Sequence, residues 1–217
     1  MGACVSEALP QVITPEYWAR ASTHLMKKDR VMRRLVPQFA GVCLESRGDA
    51  FVTLARSVIG QQISVKAAQT VWDRFQGLMR KVTPAAVLKL DADAMRASGL
   101  SARKVEYLKD LAQHFADKRV HVKDWSAMDD EAIISELVAI RGIGRWTAEM
   151  FLIFHLMRPD VLPVDDVGLI NGVSRLYFSQ EAVSRSELRE VAQAWAPYRS
   201  VATWYIWRSL DPQPVAY

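Results

Sequence analysis

Two adjacent carboxylates, Asp165 and Asp166, stand in the stretch LPVDDVGLINGVSRLYF, which begins eight residues after Phe154. Pro163 stiffens the approach, and the pair sits where a helix should start. An Asp at such a place is ordinarily an N-cap. The helix dipole and the free N–H groups there also favour the charged form of a carboxylate. A fixed anion of this kind can stabilise a developing positive charge or orient a water molecule.

The run before it supplies a different chemistry. LVAIRGIGRWTAEMFLIF, Leu137–Phe154, places two apolar helical stretches around Gly142-Ile143-Gly144. The glycines permit the dihedrals of a tight turn and leave no side chain to hold another molecule away. Ile143 is expected to tuck between the two helices. The second helix should begin near Arg145, with unpaired N–H groups facing outward, an arrangement that binds phosphate oxygen. Arg141 and Arg145 bracket that terminus with charge. Such contacts position a protein on a nucleic acid backbone without reading sequence. The plain alternative is an αα-hairpin whose glycines only make the turn. An anion fixed beside a phosphate-binding hairpin is electrostatically odd, so Asp165-Asp166 invites a catalytic explanation.

The bulk composition is compatible with this but does not require it. Among 217 residues, 28 are Lys or Arg and 24 are Asp or Glu, a net charge of +4 that permits a polyanionic partner. Cys4 and Cys43 are the only cysteines, which excludes a disulfide framework and a four-cysteine zinc or iron–sulfur site. The expected compartment is a reducing one. No apolar run is long enough to span a bilayer. The opening MGACVS fits the loose pattern for myristoylation, with Cys4 placed for a second acyl chain, but no polybasic segment follows and no lipid anchor is expected. His24, His114, His121 and His155 are scattered and receive no role.

The elements that must position these residues read as helices. Thr14-Pro15-Glu16 opens the first. DAFVTLARSVIG has helical apolar spacing up to Gly60, Ser64 caps VKAAQTVWDRF, Thr83-Pro84 and Asp91 open two short helices, and Ser101 opens ARKVEYLKDLAQHF. Ser126 to Asp129 has the form of a capping box before DEAIISELVAI. Ser184 begins RSELREVAQAW, and YRSVATWYIWRSL closes the chain. Val161 to Val164 has an extended look, although Pro163 argues against a central strand. The class is all-α, without internal repeats or long linkers.

Taken together, LVAIRGIGRWTAEMF followed by LPVDDVGL resembles the helix-hairpin-helix DNA glycosylases. SVIGQQISVKAAQTVWDRF upstream and WAPYRSVATWYIW downstream narrow the likeness to the 3-methyladenine DNA glycosylase II group, the AlkA-type alkylation-repair enzymes. The resemblance covers roughly residues 50 to 210. It is with the compact members rather than those that carry an extra β-rich domain. It implies two helical lobes with DNA in the cleft between them: a terminal lobe of about residues 1–55 plus 165–217, and a central lobe of 56–164 with the hairpin at 137–151. It also implies backbone contacts from Arg141, Gly142, Ile143, Gly144, Arg145 and Thr147, and a K⁺ or Na⁺ ion at hairpin carbonyls near Ile140 and Gly142. The family's catalytic carboxylate falls on Asp166, leaving Asp165 as cap or helper.

A base inside a duplex must be flipped out to be reached, and something must plug the gap. The family pattern puts Gln61 and Gln62 there, with Gln62 the first candidate and Ile63 the alternative. Trp146 and Trp207 fall on stacking positions, where a cationic alkylated purine gains attraction from the ring face. Met150, one turn after Trp146, should line the same wall; read without the family, Trp207 is plain core. An ionised Asp166 then stabilises an oxocarbenium-like sugar. Relatives that also cut the strand place a Lys just after the hairpin. Here that slot holds Trp146, and no Lys lies between Lys123 and Asp166. The expectation is therefore a monofunctional enzyme of base excision repair, a monomer acting on double-stranded DNA with alkylated purines. It needs no required cofactor, iron–sulfur cluster or membrane, and works in the cytoplasm of a bacterium or the nucleus of a eukaryote. The competing reading is a non-catalytic hairpin protein that binds damaged or branched DNA.

Overall fold

Short polar residues set the starts of the helices. In the computed structural model, which describes residues 15–44 and 48–210, the elements are α1 (Trp18–Lys28), α2 (Arg30–Leu35), α3 (Ala50–Gly60), α4 (Val65–Gln76), α5 (Pro84–Lys89), α6 (Ala92–Ala97), α7 (Ala102–Ala116), α8 (Asp130–Val138), α9 (Arg145–Phe154), α10 (Val167–Tyr177), α11 (Arg185–Val191) and α12 (Arg199–Leu210). Two 3-10 turns, Val36–Phe39 and Ala192–Trp195, complete them, and no strand occurs among the described residues. Asp49, Ser64, Thr83, Asp91 and Ser101 each accept a backbone N–H at the start of the helix that follows. Each such cap contributes about 1 kcal/mol. Ser184 and Glu187 form a reciprocal capping box at α11. The lipid pattern at MGACVS, with Cys4 and Thr14, lies outside the described residues.

Two local expectations are corrected. The first helix begins at Trp18 rather than Pro15, and the Trp18 N–H donates to the Pro15 carbonyl at 2.9 Å. Before α8 the cap is Asp129, whose carboxylate accepts the Ala132 N–H at 2.8 Å. Ser126 cannot cap because its segment is coiled into tight turns, with Ala127 and Met128 N–H both donating to the Asp124 carbonyl. As Pro163 led one to expect, Val161 to Val164 forms no strand, and the Val161 N–H goes to Ser200 Oγ at 2.9 Å.

Packing sorts the helices into two groups. α3 packs on α4, α7 and α9, α5 and α6 cover α7, and α8 lies on α9. α1, α2, α10, α11 and α12 with the two 3-10 turns form the second group. α3, which spans the boundary expected at residue 55, makes its main contacts with helices of the first group. The second group is rich in aromatics, with Trp18 edge-on to Trp204 at 5.0 Å. Buried Asp29 caps α2 and accepts the Tyr177 hydroxyl at 2.8 Å and Trp195 Nε1–H at 3.1 Å, tying the α1–α2 corner to the end of α10. At Gly172, α10 meets α12 so closely that a Cβ would stand 2.2 Å from Ile206 Cγ2. This approach sets the start of α10 beside Trp207.

Candidate active site

Asp166 is the N-cap of α10 and is buried, only 8% exposed. Its Oδ1 accepts the Leu169 N–H at 2.6 Å and Trp207 Nε1–H at 2.8 Å. Its Oδ2 accepts Trp146 Nε1–H at 2.8 Å. Three N–H groups therefore converge on one carboxylate, two on Oδ1 and one on Oδ2. Trp146 comes from α9 in one packing group and Trp207 from α12 in the other, so the carboxylate sits at their junction. The Trp207 ring stacks on Phe154 at 5.6 Å and 11°. Trp146 remains 38% exposed, and the neighbouring Val167 is 68% exposed, so an apolar wall stands open beside Asp166. Met150 is buried.

Asp165 has another role than the expected cap. It is exposed and ion-paired with Arg185, while the cap is Asp166 itself. The reason is geometric: only the residue immediately before the first helical position can turn its carboxylate back onto the free N–H groups.

The hairpin folds as its residues dictate. Ile143 is buried, and its N–H donates to the Ile140 carbonyl at 3.1 Å. Gly142 has φ +84°, and a Cβ there would lie 2.3 Å from the Tyr107 ring, so this turn admits no side chain. Gly144 is the N-cap of α9 without a side-chain cap, and nothing lies within 4 Å of where its Cβ would point. The start of α9 is therefore open on that side. Thr147 is buried one turn in.

The charges differ from the simple picture. The Arg145 guanidinium is held between Glu131 and Glu149, with Nε to Glu149 Oε1 at 3.0 Å. Glu149 is buried; burial pushes its carboxyl above the usual range while Arg145 pulls it down. Arg141 is exposed and lies 3.8 Å from Glu106. Glu131 and Glu149 thus take three of the five N–H donors of Arg145, whose side chain stays 52% exposed.

At the bend between α3 and α4, Gln61 and Gln62 part company. Gln61 Nε2–H donates to the Gly142 carbonyl at 2.9 Å, which turns it inward toward the hairpin. Gln62 is exposed and adopts φ +60°, and Ile63 is 40% exposed. The Gly142 carbonyl accepts the Gln61 amide and the Ile140 carbonyl accepts the Ile143 N–H, and each oxygen keeps a second lone pair with which it would hold the expected cation.

Residues that sequence reasoning passed over are Lys104, Tyr107, Glu131, Glu149 and Val167. The first two lie at i, i+3 spacing in ARKVEYLKD, on one face of an amphipathic helix, which was the available signal.

Residues 55–197 match the model of the HhH-GPD superfamily base excision DNA repair protein. The chain is 33% identical over 198 residues to DNA-3-methyladenine glycosylase 1 of Schizosaccharomyces pombe, covering 88% of this chain and 86% of that protein. Among solved structures, a DNA-3-methyladenine glycosidase of Bacillus halodurans superposes with a TM-score of 0.82 at 32% identity, covering 93% of each chain. The S. pombe 3-methyladenine DNA glycosylase in complex with abasic DNA superposes with a TM-score of 0.75 at 32% identity, over 88% of this chain and 96% of that one.

Proposed function

The chain belongs to the HhH-GPD superfamily of base excision DNA repair proteins, and from that premise we propose how its residues release a damaged base. The activity is that of a 3-methyladenine DNA glycosylase in base excision repair. The reaction hydrolyses the bond between an alkylated purine and its deoxyribose. An everted nucleoside enters beside Asp166 against the exposed faces of Trp146 and Val167. As the base departs, positive charge grows on the sugar. Asp166 faces that charge with both oxygens already fixed by three N–H donors, so little reorganisation accompanies the step. A carboxylate has about four lone-pair sites, and three are taken. The remaining site on Oδ2 is free to meet the anomeric carbon's charge or the proton of an incoming water. A base that is already cationic leaves without a strong general acid, which is why one carboxylate suffices.

The observation that carries this reading is the convergence of Leu169 N–H and the two indole N–H groups on Asp166 at the junction of the helical groups. Gln62 is the plug for the vacated stack, favoured by its exposure and its φ of +60°. Gln61 serves as a strut, since its amide is spent on Gly142. The hairpin holds the DNA backbone through the open start of α9. Trp146 occupies the slot where a Schiff-base Lys would stand, so base release is not followed by strand cutting. No step passes through a cation at the hairpin. The substrate is double-stranded DNA.

Asp166→Asn tests the assignment against the non-catalytic alternative. The variant keeps the size and the cap but loses the charge. Base release from methylated duplex DNA should fall about a hundredfold or more, while binding to abasic duplex persists or tightens. Unchanged release would remove Asp166 from the mechanism.

A further inference from the structure

Helix α7 has no task in the mechanism above, yet three of its side chains reach the two loops that the mechanism uses. Lys104 Nζ donates to the Ile59 carbonyl at 2.7 Å and to the Gln61 carbonyl at 2.9 Å. These carbonyls belong to the end of α3 and the bend after it, where intrahelical donors run out. One turn further, the Tyr107 ring lies against Gly142. Another turn on, Asp110 Oδ2 accepts the Arg141 N–H at 2.8 Å. Positions 104, 107 and 110 share one face of the helix. The loops are also joined to each other, through Gln61 Nε2 and the Gly142 carbonyl.

The cost of this arrangement points to a purpose. Lys104 makes no ion pair among the described residues, and burial lowers its pKa, so its ammonium gives up water for two backbone carbonyls. Gln62, the residue directly after one of those carbonyls, sits at φ +60°, a strained state that persists only where its surroundings enforce it. We propose that the Lys104–Tyr107–Asp110 face of α7 is a positioning device that locks the Gln62 bend and the Gly142 hairpin into one rigid unit. The plug then enters the duplex in fixed register with the grip on the backbone. This inference rests on the reading of Gln62 as the plug.

Lys104→Met keeps the length of the side chain and removes its donors. Single-turnover release of a methylated purine is measured from two duplexes, one with the target paired and one with it opposite an abasic-site analogue. An unpaired base costs less to extrude, so a fault in plugging should slow the paired duplex about tenfold or more and the unpaired one less than about threefold. Equal losses on both duplexes, or none on the paired one, overturn the proposal. Should Lys104→Met lose its cooperative melting, Gln61→Ala is read by the same ratio and the same criteria. If the wild type releases base from neither duplex, the glycosylase reading fails, and the plug with it.

Discussion

At the scale of the residue, the carboxylate proposed to act on the sugar is surrounded by donors. Trp207 and Trp146 were expected as stacking surfaces, and both present their indole N–H to Asp166. The proposed stacking and the observed N–H donation can be tested separately for each ring. Trp207→Phe keeps a ring against Phe154 and deletes only the donor. The lost hydrogen bond to a charged group should lower the single-turnover rate about ten- to a hundredfold, with binding to abasic DNA unchanged. Equal losses in rate and binding would instead mark Trp207 as packing. Glu131 offers a residue-level test of the hairpin. Since it engages the Arg145 guanidinium, Glu131→Gln should free that cation, raise affinity for duplex DNA and steepen the salt dependence by about one phosphate contact. A salt slope identical to wild type would mean that Arg145 does not face the backbone.

At the scale of the element, the segment between α7 and α8 is pinned by one acidic side chain. Glu136 accepts from Trp125 Nε1–H at 3.0 Å, from the His121 N–H at 3.1 Å, and pairs with His121 Nδ1 at 2.5 Å. Burial pushes its carboxyl up, but these hydrogen bonds together hold it below the usual glutamate range. A carboxyl lowered on folding contributes stability above its unfolded value. That contribution is lost as pH falls through the folded value. Glu136→Gln should therefore cost about 1–3 kcal/mol near neutrality and flatten the loss of stability on the acid side. Denaturant melts across pH would show it, and an acid limb as steep as wild type would exclude Glu136 as its source.

At the scale of the whole molecule, the site exists because two helical groups meet. α9 brings Trp146, α12 brings Trp207, and α10 places Asp166 between them. The close approach at Gly172 governs that meeting. Gly172→Ala inserts a Cβ 2.2 Å from Ile206 Cγ2, which α10 can relieve only by moving away from α12. The overpacking should cost about 1–3 kcal/mol in equilibrium unfolding and should also weaken base release, because Trp207 no longer reaches Asp166. Lower stability with an unaltered single-turnover rate would show that the junction tolerates the shift.

The chain's local chemistry was legible without coordinates. Ser64, Thr83, Asp91, Ser101 and Ser184 announce helix starts because a cap acts on N–H groups two or three residues away. Gly142-Ile143-Gly144 announces its turn for a similar reason, and the pair Asp165-Asp166 stands out by its place after the hairpin, with Asp166 singled out by the resemblance to the helix-hairpin-helix glycosylases. The choice of Asp166 over Asp165 as cap, the carboxylates that hold Arg145, the turn of Gln61 toward the hairpin and the indole N–H groups on Asp166 were decided only by the tertiary structure. Each depends on a partner far along the chain: Trp207 lies 41 residues from Asp166, and Gln61 lies 81 from Gly142. Short-range spacing fixes which groups a helix can present, whereas the packing of helix against helix fixes what those groups meet.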